Sequence, residues 1–367
     1  MSNQEQQLGK LRDAIDRIDQ NIMSLVSERA KCAQQVAEVK QQAEGKEQAV
    51  FYRPEREAQV LRGVMERNPG PLGDEEMARI FRQIMSSCLA LEQPLRVAFL
   101  GPEGTFTQSA ALKHFGHSTV SVPMDSIDEV FREVESGAAD YGVVPIENST
   151  EGMVHHTLDM FRESSLTICG EVELRIHQHL LKSSVVELDS VVRIYSHQQS
   201  LAQCRRWLDA RFPSVERVAV SSNAEAARRA SAEKGSNVAA IAGEMAAELY
   251  GLDIAVENIE DQPDNTTRFL VIGRQQTGSS GKDKTSLLIS ARNKPGALYH
   301  LLEPFHRFGI SLTRIETRPS ATGAWGYIFY IDCEGHYTDD SIQQVMTVLA
   351  DEAQDLKLLG SYPLAVL

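Results

Sequence analysis

Two changes of hydrophobic period along the chain predict a multidomain protein of three folding units, all-α, then α/β, then α+β. Apolar residues recur at helical steps of three and four up to about residue 92. After Gln93-Pro94, short apolar strands alternate with amphipathic helices, and beyond Gly278-Ser279-Ser280-Gly281 the elements run βαββαβ, a ferredoxin-like order. A length of 367 residues agrees, being too great for one ordinary core. The expected units are 1–92, 95–275 and 284–367.

Leu11, Ile15, Ile18, Ile22 and Leu25, then Cys32, Val36 and Val39, make the first helix long and amphipathic. A second helix opens at Pro54, suited to a first helical position, and stops at Asn68-Pro69-Gly70-Pro71. A third follows Asp74, stacking Met77, Phe81, Ile84, Met85 and Cys88. In the middle unit strands are expected at 96–100, 120–123, 141–146, 166–174, 191–196, 217–220, 238–242 and 267–272. The last unit offers strands at 286–291, 312–318, 327–333 and 357–362, with helices at 297–308 and 339–350. Gly278 to Gly281 reads as a linker.

Composition excludes several functions. No run of about 18 apolar residues spans a bilayer, and Met1 to Lys10 lacks the apolar core of a signal peptide, so a cytoplasmic protein is expected. Five scattered cysteines without a C-x-x-C pair point to reduced thiols and no metal cage. A formal charge of −14 opposes nucleic-acid binding. The first unit is nearly charge-balanced and carries no basic recognition helix. His155, His156, His177 and His179 cluster too loosely for a metal site, and solvated or hydrogen-bonded roles are expected.

The first helix places Arg29 on its apolar stripe, where a guanidinium needs a carboxylate or an anionic ligand. Lys40, eleven residues on, returns to within about 20° of it, whereas Arg12 is turned away by about 100°. Arg56 and Glu57 in the second helix, and Cys88 and Glu92 at the end of the third, are candidates to face these cations. A helical dimerisation seam pairing Arg29 with Glu57 or Glu92 explains the spacing equally well. The set Leu11-Arg12, Glu28-Arg29, Lys40, Arg56-Glu57, Cys88 and Glu92 is, however, similar to all-helical chorismate mutases fused to prephenate-processing enzymes. The resemblance implies two chains exchanging their first helices, with Arg12 entering the partner's site. It further implies that Arg12, Arg29 and Arg56 hold the carboxylates of chorismate, Glu57 accepts a hydroxyl, and Lys40 and Glu92 face the ether oxygen. Cys88 stands where serine is common in that family, Glu92 where glutamine is, and Arg53 where aspartate is.

In the middle unit, Gly101-Pro102-Glu103-Gly104-Thr105-Phe106-Thr107 lies between a strand and a helix, where backbone N–H groups receive an anion or glycines simply make a turn. It is no G-x-G-x-x-G, so no nucleotide cofactor is expected. Pro145-Ile146-Glu147-Asn148-Ser149, Asn265-Thr266-Thr267-Arg268-Phe269, Ser196-His197-Gln198-Gln199 and Tyr250-Gly251-Leu252 together resemble prephenate dehydratases over about 180 residues. The resemblance implies two α/β lobes of the periplasmic-binding-protein kind with prephenate in the cleft. Thr267 is then the proton donor or leaving-group orienter, Arg268 a two-pronged carboxylate clamp, Asn148 and Ser149 hydrogen-bonding groups, and Phe269 part of the same motif.

The last unit resembles the ACT regulatory domain of phenylalanine-sensitive dehydratases through Asn293-Lys294-Pro295-Gly296-Ala297-Leu298 and Glu316-Thr317-Arg318-Pro319, with Thr317 where serine is usual. Gly296 lets an amino acid approach the helix N-terminus. Asn293, Gly296, Ala297, Leu298, Glu316, Thr317 and Arg318 are the implied effector contacts. The expected whole is an enzyme that turns chorismate into prephenate and prephenate into phenylpyruvate under phenylalanine feedback, without cofactor, as a homodimer or higher homo-oligomer. An amino-acid-responsive binding protein without catalysis is the alternative.

Overall fold

The computed structural model of the chain describes residues 3–44, 51–233, 235–291, 295–319 and 327–367. The first unit comprises α1 (Asn3–Glu44), α2 (Pro54–Arg67) and α3 (Asp74–Ala90). Pro54 sits in the first turn of α2, where its missing N–H has no intrahelical partner to lose. Helices α2 and α3 pack together and bury Leu61, Val64, Ala78 and Cys88. Helix α1 behaves differently. Ala37 is its only buried residue among those described, while Leu11, Ile15, Ile18, Ile22 and Leu25 each expose more than half of their surface.

The middle unit continues with β1 (Arg96–Leu100), α4 (Phe106–Phe115), β2 (Val120–Met124), α5 (Ile127–Glu135), β3 (Tyr141–Asn148), β4 (Gly152–Met153), α6 (His155–Glu163) and β5 (Thr167–Arg175). These form the first lobe. The second contains β6 (His179–Lys182), β7 (Arg193–His197), α7 (Gln198–Gln203), α8 (Arg205–Arg211), β8 (Glu216–Val220), α9 (Asn223–Ala232), β9 (Val238–Ala242), α10 (Glu244–Tyr250) and β10 (Asp253–Val256). The chain then returns to the first lobe as β11 (Thr266–Gly273). The sheets run β2-β1-β3-β11-β5, with β4 on β3, and β10-β6-β9-β7-β8. Helix α5 shows why the segments fold as they do. Ile127, Val130, Phe131 and Val134 form one buried stripe, and at its start Ser126 Oγ accepts from the Glu129 N–H while the Glu129 carboxylate accepts from the Asp125 N–H. The short strands β4, β6 and β10 escaped the sequence reading, because two to four residues show too little alternation.

The last unit is β12 (Asp283–Ser290), α11 (Ala297–Arg307), β13 (Leu312–Pro319), β14 (Tyr327–Glu334), α12 (Asp340–Glu352) and β15 (Asp355–Pro363), with antiparallel order β13-β14-β12-β15. One face of this sheet packs on α11 and α12 through Leu287, Ile289, Phe329 and Ile331. The other face joins the middle unit's core, where Leu288, Ile328, Tyr330, Leu359 and Tyr362 meet Phe131, Phe161 and Ile168. Gly360 permits this closeness, since a Cβ there would overlap the carbonyl of Ile168. The expected linker is a built turn. Asp283 accepts hydrogen bonds from the N–H groups of Ser280 (2.9 Å) and Gly281 (3.0 Å) and from the Ser280 hydroxyl (2.6 Å). Arg62 of α2 reaches the same turn, donating to Ser280 Oγ at 2.9 Å and the Lys282 carbonyl at 3.0 Å.

Candidate functional site

A cleft of about 720 Å³ opens between the two lobes of the middle unit. Gly101, Pro102 and Thr105 to Thr107 at the start of α4 line one wall, with Asn148, Met153, Asn265 and Thr267; Gln178, His197, Ser200 and Asn223 line the other. The chain crosses between lobes twice, and the crossings are laced together. Ile176 donates to the Asn265 carbonyl at 2.8 Å, and Glu260 takes hydrogen bonds from the Gln178 N–H and the His177 ring, both at 2.9 Å. Tyr250 donates to the Glu103 carbonyl at 3.0 Å, bridging the lobes. Gly104, at φ +86°, leaves room for the Tyr250 ring.

Register sets the chemistry of the cleft. Thr267 of β11 lies opposite Asn148 of β3, and Asn148 Nδ2 donates to Thr267 Oγ1 at 2.8 Å. The Asn148 amide cannot be reversed, because its Oδ1 accepts from the backbone N–H groups of Thr150 (3.0 Å) and Glu151 (3.1 Å). Thr267 therefore accepts from Asn148 and keeps its own hydrogen for a ligand. No Lys or Arg lines the cleft among the described residues, whereas Asp125 and Glu151 do. The starts of α4 and α9 line the cleft, and helix N-termini favour anions.

The structure corrects three expectations. Arg268 points to the face opposite Thr267, where its NH2 meets Asp332 at 2.7 Å and its NH1 meets Glu171 at 3.5 Å. It joins the middle sheet to β14 and does not line the cleft. Phe269 is buried in the first lobe's core with Phe99 and Phe115. Ser149 is exposed and does not line the cleft; it accepts from the Thr266 N–H at 3.0 Å. Of the four histidines, His156 bonds Asp128 at 2.6 Å and His179 accepts from the Asn258 N–H at 3.1 Å; His155 lies 3.9 Å from Glu316.

In the helical unit, Lys40 and Glu92 are brought close enough to interact. The Glu92 carboxyl is pushed up by desolvation and drawn down by Lys40, with a net rise. Glu57 is a correction. It is partly buried against Arg82, 3.1 Å away, and faces the middle unit rather than Lys40; desolvation raises its carboxyl against the pull of Arg82. Arg29 is half-buried, Arg12 and Arg56 are exposed, and Cys88 is buried. Arg12 and Lys40 are 28 residues apart on one helix, about 42 Å at 1.5 Å per residue, too far to share a ligand within one chain.

In the last unit, Gly296 caps α11 at φ +77°, a conformation other residues resist. Ala297 is half-buried and Leu298 exposed at this helix start; Asn293 lies outside the described residues. Thr317 pairs with Phe329 and shares the helix-covered side of the sheet with it. Glu316 and Arg318 point the other way, toward α6, where Arg318 pairs with Asp159 at 2.7 Å. They therefore do not share a face with Thr317. Arg314, two turns of the same alternation earlier, pairs with Glu147 and donates to Met153 Sδ at 3.1 Å.

Family models match all three units: chorismate mutase type II over residues 11–93, prephenate dehydratase over 97–277 and the ACT domain over 285–357. A bifunctional chorismate mutase/prephenate dehydratase of Stutzerimonas stutzeri is 64% identical over 98% of this chain and 99% of its own. One from Pseudomonas aeruginosa is 62% identical over 100% of both. The chain belongs to the bifunctional chorismate mutase/prephenate dehydratase family. The crystal structure of an Arthrobacter aurescens prephenate dehydratase in complex with L-Phe is 34% identical, covering 73% of this chain and 90% of that one with a TM-score of 0.68.

Within this family frame, α1 to α3 are the mutase unit, the two lobes the dehydratase unit, and the βαββαβ sheet the ACT domain. Motif reading marked Asn148 and Thr267 but not Asn265, which borders the same cleft. It also left out Gln178, Ser200 and Asn223, which hydrogen-bond one another across the second lobe. No local pattern surrounds these three in the sequence, and only the packing of β6, α7 and α9 assembles them.

Proposed function

We propose that this protein rearranges chorismate to prephenate in the helical unit and converts prephenate to phenylpyruvate in the interlobe cleft, with phenylalanine acting through the ACT domain. The observation that carries the dehydratase assignment is the Asn148–Thr267 pair, whose polarity leaves the threonine hydrogen aimed at a ligand. As the ring loses carbon dioxide, the electron pair of the breaking C–C bond enters the ring and the C4 oxygen departs. Thr267 orients that oxygen while it takes up a proton and leaves as water. Chorismate needs compact folding and charge relief at the ether oxygen, for which Lys40 and Glu92 are the proposed donors. Arg12, Arg29 and Arg56 are the proposed carboxylate holders. Supplying chorismate to the purified protein, and following prephenate and phenylpyruvate with and without phenylalanine, tests all three assignments. A protein that consumes neither substrate would favour a non-catalytic amino-acid-binding role.

The exposed apolar stripe of α1 supports a homodimer. Leu11, Ile15, Ile18, Ile22 and Leu25 face water in one chain, and a second α1 laid along them buries the stripe and delivers Arg12 to the other chain's Lys40. A cytoplasmic location is proposed with it; no described helix is long and apolar enough to cross a membrane.

Glu92 sets a pH test. An ionised carboxylate only accepts hydrogen bonds, so facing the ether oxygen requires the protonated form. Since burial raises its pKa, mutase activity is expected to fall as pH rises through that value. Glu92→Gln should flatten this limb, leaving the dehydratase profile unchanged. An unaltered alkaline fall in the variant would assign Glu92 another role.

Gly296→Val is expected to weaken phenylalanine inhibition by about tenfold or more, roughly 1.4 kcal/mol of lost binding, because a β-branched residue resists φ +77° and crowds the helix start. Inhibition curves of the dehydratase reaction measure it. An unchanged curve would place the effector elsewhere.

A further inference from the structure

We propose that Asn265 is a substrate-contacting residue of the dehydratase site, its side-chain N–H donating to the oxygen that leaves. The proposal rests on reading the interlobe cleft as that site. Asn265 is 2% exposed and borders the cleft, yet its Nδ2 has no hydrogen-bond partner. Buried amide donors are nearly always satisfied, and one left open at a cleft wall points to an absent acceptor.

A reversed amide does not account for the open donor. The N–H groups of Thr150 and Glu151 fix Asn148 Oδ1 as an acceptor, so Asn148 Nδ2 must donate on its other side. It donates to Asn265 Oδ1 at 2.8 Å and to Thr267 Oγ1 at 2.8 Å. Turning Asn265 over would set two NH2 groups against each other. Two backbone hydrogens thus determine the polarity of three side chains, and the chain of bonds ends in two free donors, Thr267 O–H and Asn265 N–H.

These donors hang from one Asn148 NH2 group and lie side by side. With no Lys or Arg lining the cleft among the described residues and His197 on the opposite wall, charge growing on an oxygen held by Thr267 meets the neutral donors beside it first. Thr267 fixes where that oxygen sits, and the Asn265 N–H beside it serves the same atom. Such a pair resembles an oxyanion hole, tightening as the C–O bond breaks.

Asn265→Asp separates this role from mere support. The aspartate keeps an acceptor for Asn148 but replaces the free N–H with a carboxylate oxygen. At neutral pH kcat for prephenate is expected to fall about 10²-fold, with KM changed less and chorismate turnover by the same protein unchanged. As pH falls toward about 5 the protonated carboxyl regains a donor, and the deficit relative to wild type should shrink. Asn265→Ala, which lacks the group, should stay impaired at every pH. Wild-type kcat in Asn265→Asp at neutral pH would reduce Asn265 to a support for Asn148. A defect confined to KM would move its contact to a substrate carboxylate, and a deficit that ignores pH would overturn the donor role. Failure of the wild-type protein to form phenylpyruvate from prephenate would instead refute the reading of the cleft.

Discussion

Thr267→Ala is expected to reduce phenylpyruvate formation by about 10²- to 10⁴-fold, the range associated with a positioned proton donor, while prephenate still accumulates from chorismate. The variant removes the hydroxyl to which Asn148 Nδ2 donates at the cleft wall and leaves the backbone pairing of β11 with β3 and β5 intact. Thr267 is only half-buried, so loss of its methyl and hydroxyl should cost little stability. The mutase unit lies in a separate helical packing and reports folding in the same sample. Near-normal dehydration by the folded variant would remove Thr267 from the chemistry.

Arg268→Ala is expected to act on stability first. Arg268, Glu171, Lys284 and Asp332 form a buried ionic cluster between the dehydratase sheet and the ACT sheet, with Lys284 and Glu171 2.7 Å apart. Removing one partner of a buried pair leaves charge without compensation and typically costs about 3–5 kcal/mol. Here Asp332 would lose its 2.7 Å partner, keeping the Ser286 hydroxyl at 2.6 Å and the more distant Arg314. Urea unfolding should show the loss as a lower midpoint. A residue that clamped substrate, as the motif alone suggested, would raise KM and leave the midpoint near wild type. The two outcomes decide between anchor and clamp.

Motif and periodicity made the three units legible, because each has a distinct hydrophobic period and Pro or Gly at its borders. Asn148 and Thr267 were legible for the same reason that Arg268 was misplaced. A motif names neighbours in sequence, but adjacent strand residues face opposite sides. Thr267 and Arg268 thus serve different surfaces, as do Thr317 and Glu316. The pairing of Glu57 with Arg82 was not legible, because helical spacing within α2 cannot show which residue of α3 will meet it. Gln178, Ser200 and Asn223 were invisible because they converge from three elements with no shared local signal.

The shared core of the dehydratase and ACT units changes what it means to remove the regulator. Ending the chain near Gln276 would strip Leu288, Ile328, Tyr330, Leu359 and Tyr362 from one side of a continuous apolar cluster. It would also leave Glu171 and Arg268 with only their mutual 3.5 Å contact, since their closer counter-charges Lys284 and Asp332 lie beyond the cut. Such a truncation would yield a damaged dehydratase rather than a deregulated one. The sensor is a wall of the catalytic body, and effector sensitivity is open to dissection by point substitution where excision would bring the structure down with it.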